Sequence, residues 1–208
     1  MKYMRLFAKS RDKALRVMSI FILVWIIALS SVFFVKTKYN FFPQLIESWT
    51  ASTQKQAFPD ISTSGLTDTQ KKVVDILTQE YASQPDGTKY SGVSEPWCAD
   101  FVSWVLYRAN VPLINPNSDS WRIPGTKTMR TFYEVNQRFE SAKSDYVPHV
   151  GDVALYDNPS PYGQHVNFVL KYDNGQLTTI GGNEPGGIRV STHDIKNDPG
   201  FLGYGLLN

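Results

Sequence analysis

Nineteen consecutive uncharged and mostly apolar residues, Val17 to Val35, constrain this chain more than any other stretch. At 1.5 Å rise per residue such a helix measures about 28 Å, close to the hydrocarbon thickness of a bilayer. Lys2, Arg5, Lys9, Arg11, Lys13 and Arg16 precede it, whereas only Lys36 and Lys38 follow closely. By the positive-inside rule this asymmetry predicts a single-pass anchor at 17–35 in the cell membrane, a cytoplasmic basic tail at 1–16 and an extracytoplasmic C-terminal body. A cleaved signal peptide is the competing reading, but its apolar core is usually shorter, about 7 to 15 residues, and ends in a small-x-small site. Ala28 and Ser30 make a poor site of that kind, and the run continues through Phe33, Phe34 and Val35. A buried core helix leaves the six preceding cations without a reason.

The net charge of +2 hides an uneven distribution: residues 1–38 carry eight Lys or Arg and one Asp, so the body is mildly acidic. That balance argues against nucleic acid as a partner. A chain 42% hydrophobic and 19% charged is neither wholly disordered nor fibrous. Its single cysteine excludes an intramolecular disulfide framework and a Cys-rich zinc site.

Residues 36–65 show no sustained period and read as an extracytoplasmic spacer. The domain is expected over 66–208. Thr67 followed by Gln70 fits a capping box, and Val73, Val74, Leu77 and Tyr81 make a stripe at helical spacing. A second helix is predicted over 97–110, with Phe101, Val102, Val105, Leu106 and Ala109 on one face, and a third over 126–140. Beyond it the period shortens toward 2, predicting strands over 152–156, 165–172, 176–180 and 188–191, with Asp173-Asn174-Gly175 as a hairpin turn. Helices first and antiparallel strands after make an α+β domain: N-terminal helices packed on a small antiparallel sheet, preceded by one transmembrane helix.

The cysteine, Cys98, stands where a helix begins, just after Pro96 and Trp97. Unpaired first-turn N–H groups and the helix dipole favour a thiolate there, as a nucleophile needs. The alternative is a small buried hydrophobe, since Cys98 shares a face with Phe101, Val102 and Val105. A nucleophilic thiol needs a base. Of three histidines, His165 opens an apolar strand directly after a turn, while His149 and His193 fit surface or turn positions better. A third group must orient the imidazole. The loop Gly181-Gly182-Asn183-Glu184 offers Asn183, with Glu184 as a charged alternative.

The order Trp97-Cys98-Ala99-Asp100-Phe101-Val102, then Gly151-Asp152, then Gly163-Gln164-His165-Val166, then Gly181-Gly182-Asn183 resembles a CHAP domain, the cysteine, histidine-dependent amidohydrolase/peptidase family of the NlpC/P60, papain-like group. The resemblance covers roughly residues 66–203 and implies a papain-like fold. It implies Cys98 as nucleophile, His165 as base and Asn183 as the polar residue completing the site. Many members carry an acid two positions before that asparagine, where this chain has Gly181. Trp97, Trp121, Tyr162, Gln164 and Glu184 are candidates for a substrate groove.

The family's usual substrate, peptidoglycan, is the implied partner, cut by amidase or endopeptidase action through a thioester, with an envelope or secretion complex as a further partner class. A non-catalytic peptidoglycan-binding or scaffold module and a cysteine peptidase acting on protein are the alternatives. No cofactor is expected. No metal is expected either, because Asp86, Glu95 and Asp100 are too few and too scattered for the oxygen cage of calcium.

Overall fold

The computed structural model describes residues 56–207, together with Trp25. The chain divides into two units, Met1–Gln54 and Lys55–Asn208, and the fold described here is that of the second. Four helices come first: α1 (Asp68–Ser83), α2 (Thr88–Ser91), α3 (Cys98–Arg108) and α4 (Thr126–Val135). Six strands follow: β1 (Phe139–Ser141), β2 (Val153–Tyr156), β3 (His165–Asp173), β4 (Gln176–Glu184), β5 (Gly187–Asp194) and β6 (Phe201–Gly205). They form one antiparallel sheet in the order β1-β6-β2-β3-β4-β5.

Local chemistry explains most of these boundaries. Thr67 and Gln70 satisfy each other's backbone N–H groups, so α1 starts with the reciprocal cap its sequence predicts. Asn174 and Gly175 both take positive φ, 47° and 93°, which closes the β3–β4 hairpin with the twist that paired strands require. Helix α4 stops at Val135, short of the expected Glu140. Gln137 turns to φ 55°, and the N–H of Arg138 reaches back to the carbonyl of Tyr133 at 2.8 Å. That closure resembles the usual glycine stop, but here glutamine makes it, so residue type gave no warning. The freed residues pair as β1 with β6, two strands that fell in stretches expected to be helical or irregular.

The sheet separates two apolar clusters. One joins Leu77, Phe101, Val102 and Val105 of the helices to Val166, Phe168 and Ile180 of the strands, and α3 lies on β3 and β4. The other gathers Tyr156, Val169, Leu177, Phe201 and Tyr204. Burying one such side chain contributes roughly 1.5–3 kcal/mol, so α3 is a firmly seated platform. Phe58 and Ile61 also pack on the first cluster, and Gln56 donates to Thr192 Oγ1 at 3.2 Å. Residues 56–65, expected as the end of a spacer, are therefore joined to the domain.

The expectation of a transmembrane helix over 17–35 is corrected here. Among the described residues no helix is long and apolar enough to cross a membrane. The segment itself lies outside the described residues apart from Trp25, which is helical. The anchor, the membrane as partner and the single-pass location drawn from it are withdrawn.

Candidate active site

Helix α3 places Cys98 at its first position. Its N-cap residue, Trp97, supplies no side-chain hydrogen bond, so the first-turn N–H groups are uncapped by any side chain. Cys98 itself is buried, at 6% exposure. Trp97 wedges this helix end in place: its indole stacks on Tyr90 with 5.2 Å between centroids and meets Phe101 edge-on. A Cβ on Gly182 would stand 2.3 Å from the Trp97 ring and 2.9 Å from Phe101 Cβ. Gly182 is thus what lets β4 approach the start of α3. Trp97, a groove candidate by sequence, is a packing wedge behind the cysteine.

His165 opens β3 opposite Tyr156 of β2 and is buried. Tyr162 stacks on its ring at 5.7 Å and 10° between planes, while the Tyr162 hydroxyl is 2.7 Å from Ser191 Oγ. The imidazole interacts with Cys98 and with Glu184, whose Oε1 lies 3.6 Å from Nε2. Burial alone would pull the ring's pKa down. The Cys98 sulfur and the Glu184 carboxylate beside it outweigh that effect and push it up to about 9. At 3.6 Å the contact with Glu184 is longer than a hydrogen bond, so in this geometry the carboxylate acts chiefly through its charge.

The third position is where sequence and structure part. Asn183 is exposed, with φ 60°, in a stretch where the β4–β5 register shifts between Gly181 and Glu184. An asparagine tolerates that left-handed conformation, and the bulge re-aims its neighbours. Glu184 comes in beside His165 instead, with only 8% of its side chain exposed. Alternation of strand residues cannot reveal such a change. The one signal in the sequence is Gly181, a vacant place where an acid was expected, followed by an acid three residues on.

Of the remaining candidates, Tyr162 is in the site, against His165. Gln164 is exposed. Trp121 stacks on Tyr107 at 4.8 Å, nine residues along α3 from Cys98, about 13 Å at helical rise. It is not brought to the cysteine. Glu95 and Asp100 are joined by one guanidinium: Arg122 donates from Nε to Asp100 Oδ1 at 2.5 Å and also pairs with Glu95. Among the described residues no group of three acidic, histidine or cysteine side chains is placed to hold a metal ion.

Compared with family models, residues 89–183 match the CHAP domain. No curated protein and no solved structure matches the chain. The matched span contains Cys98 and His165 and ends at Asn183, one residue short of Glu184.

Proposed function

Because the chain belongs to the CHAP-domain family, a family of cysteine hydrolases, we propose that it cleaves amide bonds of peptidoglycan with Cys98 as nucleophile, His165 as general acid and base, and Glu184 as the group that orients and charges the imidazole. The observation that carries this reading is the position of His165, between the chain's one cysteine and a buried carboxylate. A structural histidine has no need of both.

The chemistry follows from those positions. With the proton on His165, the Cys98 thiolate attacks the amide carbonyl carbon and the carbonyl electrons move to oxygen. The Cys98 backbone N–H, at an uncapped helix start, donates to that oxyanion. Collapse breaks the C–N bond as the imidazolium protonates the departing amine, leaving a thioester on Sγ. Neutral His165 then takes a proton from water, whose oxygen attacks the thioester. The acid product leaves and the thiolate–imidazolium pair is restored. Throughout, Glu184 stabilises the positive ring, and Tyr162 fixes its plane.

A cavity of about 260 Å³ opens beside His165. Its walls include Lys127, Arg130 and Thr131 of α4 with Tyr156 and Asp157 at the end of β2. Walls carrying both charges suit a polar peptide better than an apolar ligand. Cys98 is not among them, so the cavity fits substrate flanking the scissile bond.

The test is digestion of purified peptidoglycan by the full chain beside Cys98→Ala, with the released fragments read by mass spectrometry. Release by the native chain alone is expected. Fragment masses distinguish cleavage at the muramoyl–L-alanine bond from cleavage within the peptides. Equal release by both chains, or none from the folded native chain on sacculi of several cross-link types, would count against the reading.

A further inference from the structure

Asn167 lies two residues beyond His165 on β3 and is fully buried. An amide at such a position costs about 1–3 kcal/mol unless its polar atoms are bonded. One side is bonded: the amide nitrogen donates to Thr179 Oγ1 at 3.0 Å. The other is not. Among the described residues five buried side-chain polar atoms have no hydrogen-bond partner, and three of them are His165 Nε2, Asn167 Oδ1 and Glu184 Oε1. The last two both border the space above Gly181, where an added Cβ would stand 2.5 Å from Asn167 Oδ1 and 2.7 Å from Glu184 Oε1. Two acceptors bordering one buried space, neither with a donor, are unfavourable there. Turning the amide by half a rotation removes the conflict: the Thr179 hydroxyl then donates to Oδ1, and the NH₂ faces the carboxylate.

We propose that Asn167 is the positioning residue for Glu184, holding its carboxylate toward His165 across the space that Gly181 leaves open. The inference rests on the role given to Glu184 above. It closes a polar ring around the histidine. From Asn167 the ring runs through Thr179 to Ser191, 3.5 Å between hydroxyls, then to Tyr162 at 2.7 Å, which stacks on His165. An acid carried on β4 itself at 181 would need neither partner. With glycine there, the acid arrives from 184 around a bulge and needs a second residue to fix it.

The test is the pH dependence of kcat/KM on purified muropeptides, measured with the full chain and its Glu184→Gln, Asn167→Ala and double variants. Glu184→Gln is expected to lower turnover about 100-fold and to move the upper limb of the profile down from about pH 9. Asn167→Ala should move that limb the same way with about a 10-fold loss, and the double variant should be no worse than Glu184→Gln. An Asn167→Ala profile overlying that of the native chain, or losses that multiply in the double variant, would overturn the proposal. Should Asn167→Ala fail to fold, Gly181→Ala decides, since its methyl group would displace the same two oxygens: a native profile there overturns the proposal equally. Failure of the parent reading looks different, because Cys98→Ala or Glu184→Gln would then leave the profile untouched.

Discussion

Of the three histidines within reach of a carboxylate, His165 and His193 are the sheltered ones, and they are built differently. His193 Nε2 sits 2.8 Å from Asp198 Oδ2, and the same carboxylate accepts from Ser160 Oγ at 2.6 Å and from the Gly200 N–H at 2.8 Å. Burial works against the Asp198 charge, but those donors hold its carboxyl below the usual range. His165 is 3.6 Å from Glu184, neither facing atom has a hydrogen-bond partner, and the ring's other neighbour is a thiol. The first pair is saturated and ties the end of β5 to the turn before β6. The second is left with unspent hydrogen-bonding capacity beside a cysteine. Tyr162 touches both rings, stacked on His165 and edge-on to His193 at 5.2 Å. Composition of the pair is therefore a poor guide to its role, and saturation of its polar atoms a better one.

Substitutions can break that contrast, beginning with the histidines. His165→Ala should lower turnover by at least about 10³-fold in a peptidoglycan-digestion assay with little loss of fold. His193→Ala should change turnover by no more than about threefold and instead lower the unfolding free energy, read by urea titration, by about 1–2 kcal/mol. Equal losses of turnover would erase the distinction.

Packing around Trp97 sharpens it. Gly182→Ala would drive a methyl group into the indole that seats the head of α3. A destabilisation of about 1–3 kcal/mol is expected in denaturant titration, with a drop in turnover because Cys98 moves with its helix.

The carboxylates separate by pH. His165 has a folded-state pKa raised to about 9, so the stability it contributes is complete below its unfolded value near 6.5 and is lost as pH rises toward 9. Thermal melts across that window should show the decline, shallower in Glu184→Gln. Asp198 has the opposite sign. Its lowered pKa gives stability that is present above an unfolded value near 3.9 and lost as pH falls through the folded one. Asp198→Asn should flatten the acid side of the stability curve and cost about 1–3 kcal/mol at neutral pH, leaving turnover nearly unchanged.

Much of this was legible beforehand. The capping box of α1, the apolar face of α3, the hairpin at Asn174-Gly175 and the cysteine at a helix head are local signals, and each acts through its neighbours in sequence. What was not legible depends on pairing between distant segments. The strands β1 and β6 are short and become strands by finding each other, and α4 ends at a glutamine in a conformation usually taken by glycine. The site shows the same limit. Cys98 and His165 stand out by position, but which of Asn183 and Glu184 comes beside His165 depends on a bulge, and nothing in the strand's sequence singles out Asn167. The apolar run at 17–35 is the strongest signal of all and, apart from Trp25, lies outside the described residues.

Because the chain has one cysteine, the central claim can be read without any substrate. The measurement is the rate of Cys98 alkylation by iodoacetamide at pH 7, followed by intact mass, in the native chain, His165→Ala and His193→Ala. A working pair predicts fast modification of the native chain and of His193→Ala, and modification at least about tenfold slower in His165→Ala. Equal rates in all three would show that His165 does nothing to the thiol, and the proposed site would fall with it.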